Sequence, residues 1–125
     1  MIVGGYAVGI HGHPRYTGDL DIWLLPDPEN ATKILNAIMD FGFGSLDIKA
    51  ADLTKEDSVI QLGYPPLRID LLTSIDGVQF NDCYPNKKEI EMDGLPVHFI
   101  GYADLIKNKK ASGRHQDLGD IENLE

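Results

Sequence analysis

Along Asp19-Leu-Asp-Ile-Trp-Leu-Leu25 the chain is mostly apolar and β-branched or aromatic, framed by Gly18 and Pro26, which predicts a short buried strand. Neighbouring side chains on a strand face opposite ways, so Asp19 and Asp21 are expected together on one face, with Leu20 and Ile22 turned into a core on the other. Val59-Ile-Gln-Leu62 and Leu67-Arg-Ile-Asp-Leu-Leu72 flank Gly63-Tyr-Pro-Pro66 and read as a hairpin, with Arg68 and Asp70 sharing a face. Lys87 to Met92 and Leu95 to Ile100 flank Asp93-Gly94, the strongest short turn signal in the chain, and form a second hairpin expected at a sheet edge. At the start, Met1 to Val3 is a strand that runs straight into Gly4-Gly5.

The remaining segments change period. Gly5 to about Gly12 carries Tyr6, Ala7, Val8 and Ile10 and fits a short helix. Pro26-Asp-Pro-Glu-Asn30 is a helix start, with proline and acids in the first turn, and Ala31, Ile34, Leu35, Ile38 and Met39 follow at helical spacing until Gly42. Phe43 to Asp57 is polar and broken, with a turn of helix expected over Leu53 to Asp57. Thr73 to Tyr84 reads as a loop and a short helix that pairs Phe80 with Tyr84. Tyr102 to Leu124 is helical in two pieces broken at Gly113. Strands and helices interspersed in this way predict an α+β, two-layer fold: a mixed, mostly antiparallel sheet with helices packed on one face.

The 125 residues are the size of one domain, spanning 1–125 without linker or repeat. An apolar fraction of 42% and a charged fraction of 25% fit an ordinary soluble protein. No membrane-length apolar run and no signal-peptide pattern occur, so a cytoplasmic setting is expected. Cys83 is the lone cysteine, which rules out an intramolecular disulfide. A net charge of −9 argues against sequence-independent binding to duplex DNA. A local cationic site remains open, because Lys107, Lys109, Lys110 and Arg114 fall within eight residues that hold no acid.

The chemistry concentrates at the strand ends. Two carboxylates aimed at one spot repel unless a proton or cation lies between them, and Mg²⁺ is commonly held by one or two carboxylates plus phosphates, so Asp19-Leu-Asp21 is a candidate metal clamp. Asp70 supplies a third acid from a neighbouring strand. Gly4 and Gly5, between a strand and a helix start, leave backbone N–H groups open to phosphate. Arg15, just upstream of the acids, suits a triphosphate or a structural salt bridge to one of the aspartates. His11 and His13 allow a metal role or ordinary loop and capping roles. A salt bridge filling the space among the three aspartates, or an Asp70 turned away, is the arrangement that would remove the metal clamp.

Gly4-Gly5, Arg15-Tyr-Thr17-Gly-Asp19-Leu-Asp21-Ile-Trp23, the later Asp70 and the tail from Asp104 through Lys109, Arg114, Asp117 and Asp120 to Leu124 together resemble the nucleotidyltransferase superfamily with the polymerase-β-like fold. Within it, the Gly-Gly opening, the Arg-x-Thr-x-Asp-Leu-Asp motif and the tail resemble the minimal bacterial members related to AbiEii-type toxins. The resemblance spans residues 2 to 124. It implies that Asp19, Asp21 and Asp70 are catalytic and hold two Mg²⁺ ions, or Mn²⁺ in their place, with Asp70 as general base. It further implies that Gly4, Gly5, Arg15, Thr17 and Lys109 meet the nucleotide. The helix that ordinarily precedes the family's first strand is absent or trimmed here, and an apolar surface left open by the short start implies a homodimer.

Three functions follow from the resemblance: transfer of a nucleoside monophosphate from an NTP to RNA or protein, as in toxin–antitoxin systems; the same transfer to a small hydroxylated antibiotic of the aminoglycoside type; or a non-catalytic nucleotide-binding or partner-neutralising domain. Glycine at the second motif position, where many members have serine, removes one phosphate-binding hydroxyl and is shared with the toxin-like and antibiotic-modifying branches.

Overall fold

The computed structural model describes residues 1–44 and 47–125. The broken polar stretch expected from Phe43 to Asp57 includes Ser45 and Leu46, which lie outside the described residues. Among the described residues, six strands form one sheet in the order β3-β4-β2-β1-β6-β5. They are β1 (Ile2–Val3), β2 (Asp19–Trp23), β3 (Val59–Tyr64), β4 (Leu67–Leu72), β5 (Lys88–Met92) and β6 (Leu95–Phe99). The helices are α1 (Gly4–Ile10), α2 (Pro28–Ile38), α3 (Ala50–Thr54), α4 (Phe80–Cys83), α5 (Tyr102–Ser112) and α6 (His115–Leu124). The class is α+β, with a mixed sheet.

Both local hairpins form where their turns predict them, β3–β4 and β5–β6, each antiparallel. The two parallel pairings, β2 with β4 and β1 with β6, join strands distant in sequence. β1 is only two residues long, yet it is an interior strand held between β2 and β6, so it presents no free edge. The edges are β3 and β5. Three hydrogen-bond ladders of five are antiparallel, which makes the sheet mostly antiparallel as the pattern predicts.

Alternation on β2 divides the core in two. Trp23 points to one side and packs with Val3, Cys83 and Leu105 of α5, its ring meeting Phe80 edge-on at 5.2 Å between centroids. Ile22 and Leu24 belong to a second cluster with Ile34 and Ile38 of α2 and with Leu62 and Leu71. Helices therefore stand around the sheet rather than on one face, because β2 buries apolar residues on both of its sides. α2 starts where the sequence signals it: the Asp27 carboxylate accepts from the Asn30 N–H at 3.2 Å, capping the first turn. Past Ile38 the helix loosens into a π-type turn, Met39–Phe43, and ends at Gly42 with φ 102°. The C-terminal helical stretch breaks at Gly113, whose φ of 66° lets the chain turn between α5 and α6. Among the described residues no helix is long and apolar enough to cross a membrane.

Candidate functional site

The register between β2 and β4 builds the site. Asp19 lies opposite Arg68 and Asp21 opposite Asp70, so all four side chains rise from one face of two adjacent parallel strands. β1 adds its C-terminal end beside them, with Val3 opposite Asp21, and the chain enters α1 at Gly4. A cleft of about 420 Å³ opens here. It is lined by the eight residues that the resemblance places at the site, Gly4, Gly5, Arg15, Thr17, Asp19, Asp21, Asp70 and Lys109, and also by Arg68 and Arg114, while His11, His13, Lys107 and Lys110 lie outside its lining.

The two glycines are demanded by closeness as much as by openness. Gly4 has φ 68°, and a Cβ placed there would collide with the Asp21 carboxylate. A Cβ on Gly5 would stand 2.7 Å from Thr17 Oγ1. The Gly-Gly turn thus lets β2 and the loop before it press against the start of α1. Thr17 Oγ1 donates to its neighbour's carbonyl, Asp19 O, at 3.3 Å, which ties that loop to the strand.

The electrostatics separate into two halves. On the helical side, Lys109 is almost wholly buried and its ammonium lies 2.9 Å from Asp120 and 3.2 Å from Asp117. Arg15 closes on Asp120 through two parallel bonds of 2.8 and 2.9 Å, and Arg114 bonds Asp117 at 2.8 Å. The salt bridge expected for Arg15 exists, but its partner is Asp120 on α6 rather than an aspartate of β2. Despite burial, the carboxyls of Asp117 and Asp120 are held below their ordinary range by these partners, Arg114 first for Asp117 and Arg15 first for Asp120. Lys109, read from the resemblance as a phosphate ligand, lines the cleft with its charge already engaged by two carboxylates.

On the strand side, Arg68 bridges two of the three acids. Its Nε donates to Asp70 at 2.9 Å, and its Nη2 donates to Asp70 at 3.1 Å and to Asp19 at 2.7 Å. Among the described residues Asp21 has no ion-pair partner. Burial, then the charges of Asp70 and Asp19, raise its carboxyl to about 6, with Lys109 and Arg114 pulling the other way. Four cations, Arg15, Arg68, Lys109 and Arg114, thus face five carboxylates, and the uncompensated one is Asp21.

For a divalent ion such as Mg²⁺ the donors fit in kind: hard carboxylate oxygens on one face, with unbalanced negative charge between them. In the present arrangement no group of three acidic, histidine or cysteine side chains among the described residues is gathered to hold a metal. Arg68 is the physical reason, since its guanidinium stands where Asp19 and Asp70 would converge. The expectation of a ready-made three-aspartate clamp is corrected to that extent. His11 Nε2 donates to Ile100 O at 2.7 Å, which ties the loop after α1 to the residue that follows β6. Tyr84 stacks on Phe80 at 5.5 Å and carries Lys87 over its ring, which is a packing role.

Sequence reasoning did not assign the bridging role of Arg68 or the service of Asp117 and Asp120 as anchors for Lys109 and Arg15. The signal for the first was present, since an arginine two residues before a strand carboxylate lies on the same face. The second depends on α6 folding back against the loop before β2, which no local pattern encodes. Compared with protein-family models and with curated proteins, the chain matches none.

Proposed function

We propose that the protein is a metal-dependent nucleotidyltransferase of the polymerase-β-like type, working in the cytoplasm on an NTP and a hydroxyl acceptor, RNA or protein. The observation that carries this reading is the parallel register of β2 and β4, which puts Asp19, Asp21 and Asp70 on one face at the mouth of the Gly4-Gly5 turn. Positioning and charge stabilisation are what phosphoryl transfer chiefly needs from a protein. Here the acceptor oxygen forms a bond to the α-phosphorus as the bond to pyrophosphate breaks, and the hydroxyl proton passes to Asp70. Gly4 and Gly5 leave the backbone bare toward the phosphates. Thr17 and Arg15 shape the rim, with Arg15 fixed by Asp120. Lys109 acts from behind, holding α6 against the site and moderating the charge on Asp21. Asp19, Asp21 and Asp70 would hold Mg²⁺, or Mn²⁺ in its place, which would offset the charge that develops on the phosphates.

A second reading has one observation in its favour. Arg68 bonds both Asp19 and Asp70, which suits a non-catalytic domain whose acids are neutralised internally. The two readings part in one experiment: the protein is incubated with labelled ATP, CTP, GTP or UTP and Mg²⁺, together with cell lysate, RNA or an aminoglycoside. Label entering RNA or protein supports the transferase, with Asp70→Asn lowering it on the order of 10²-fold or more. Label on the aminoglycoside moves the acceptor class to small molecules. No label with any nucleotide, or label unaffected by Asp70→Asn, favours the non-catalytic domain. The partner we assign beyond substrates is a second copy of the chain, bound at the open apolar groove beside α2.

A further inference from the structure

We propose that Arg68 is an exchangeable internal cation: it occupies the carboxylates of Asp19 and Asp70 until a divalent ion takes them, and the released guanidinium then binds the anion that arrives with the metal. This inference rests on the transferase reading and deepens it. Arg68 sits opposite Asp19 in the β2–β4 register and two residues before Asp70, so a side chain rising from that position must cross in front of both. The contacts are correspondingly short, 2.7 Å to Asp19 and 2.9 Å to Asp70. A guanidinium does not lose its proton in a protein, so it vacates the site only by moving.

Its carboxylate partners lie nearer solvent than those of the neighbouring cations: Asp19 and Asp70 are 37% and 12% exposed, whereas the Asp117 that holds Arg114 is 1% exposed. The side chain of Arg68 is itself 25% exposed, at the solvent side of the cleft, whereas Lys109 is 4% exposed and boxed between two buried aspartates. Arg15 is anchored to an Asp120 that is 3% exposed. The charges also favour exchange. Arg68 brings a single charge and touches two carboxylates, leaving Asp21 without a partner. A divalent ion brings a second charge to the same face and can draw in all three acids. Once displaced, the planar fork of Arg68 lies at the cleft mouth, and bidentate pairing with a phosphate is the contact a guanidinium makes best. Metal and phosphate are therefore expected to enter together rather than in either order independently.

The test measures binding of Mn²⁺ alone by the loss of free-ion signal in electron paramagnetic resonance, for the full chain and for Arg68→Met, Arg68→Lys and Arg114→Met. Arg114 lines the same cleft and carries the same charge but touches neither Asp19 nor Asp70, so it controls for charge removal in general. We expect Arg68→Met to bind Mn²⁺ at least about tenfold more tightly than the unmodified chain, with Arg68→Lys between them and Arg114→Met changed by no more than about threefold. A second readout follows the guanidinium itself. The Arg68 Nε–H resonance, identified by its disappearance in Arg68→Met, should be shifted and slow to exchange with water in the free protein. Saturation with Mg²⁺ should move it to the position and exchange rate of a solvent-exposed arginine. Equal tightening in Arg68→Met and Arg114→Met, or an Arg68 resonance unmoved while metal is bound, overturns the exchange and leaves the transferase standing. Failure of Mn²⁺ to bind either the unmodified chain or Arg68→Met overturns both.

Discussion

Asp21 carries the clearest conflict in the molecule. Burial and the charges of Asp70 and Asp19 raise its carboxyl from 3.8 to about 6. In the unfolded chain the group ionises near its ordinary value, so between these limits the native state holds the extra proton. Its contribution to stability is fully present below about pH 4 and is lost as pH rises through about 6. Asp117 and Asp120 act oppositely, since their lowered carboxyls stabilise the fold above about pH 4 and lose that effect as pH falls further. We expect Asp21→Asn to raise the melting temperature at about pH 8 and to change it little at about pH 4, measured by thermal unfolding across that range. The same substitution should weaken Mn²⁺ binding, so one residue would show stability gained and a ligand lost. That pairing is the mark of a functional group kept at the expense of the fold.

The elements differ in how far the sequence announces them. Hairpins, the Asp27 cap of α2 and the break at Gly113 were all legible, because each is written in a few consecutive residues whose turn or cap chemistry has few alternatives. The strand that carries Asp70 was expected beside β2, but the parallel direction of that pairing and the pairing of β1 with β6 were not legible, since parallel strands are joined through distant segments that carry no shared local code. For the same reason the eight candidate site residues could be named while their partners could not: Arg68 meets Asp19 across 49 positions and Arg15 meets Asp120 across 105. The pairing of α5 with α6 shows what such long-range contacts do. Lys109 joins the two helices through Asp117 and Asp120, all three almost wholly buried. Removing one partner of a buried ion pair leaves uncompensated charge and costs about 3–5 kcal/mol. Lys109→Met should therefore lower unfolding free energy by about 3 kcal/mol or more in chemical denaturation without nucleotide present. A loss confined to nucleotide affinity, with stability unchanged, would return Lys109 to the phosphate-ligand role that the resemblance implies.

The two faces of β2 have separate fates. Asp19 and Asp21 rise toward the cleft, while Leu20, Ile22 and Leu24 turn to the opposite side and floor an open groove of about 370 Å³ with Ile34, Phe41, Leu62 and Ile69. Phe41 and Met39, on the π-type turn at its margin, are 68% and 62% exposed. An apolar groove left open to water is one form that protein–protein interaction sites take, and it is the surface we propose for a second subunit. Its origin lies in the sheet rather than in a free edge of β1, which is paired on both sides. With a net charge of −9 opposing self-association, the dimer should tighten as salt screens that repulsion. Phe41→Asp puts a further charge where a partner would have to be dry, so sedimentation should find this variant monomeric at concentrations where the unmodified chain is dimeric. Because the groove and the aspartate cleft lie on opposite faces, Mn²⁺ affinity should be the same in both forms. A chain monomeric at every concentration and salt would assign the groove to some other partner, and a loss of metal binding on monomerisation would mean that the second copy completes the cleft after all.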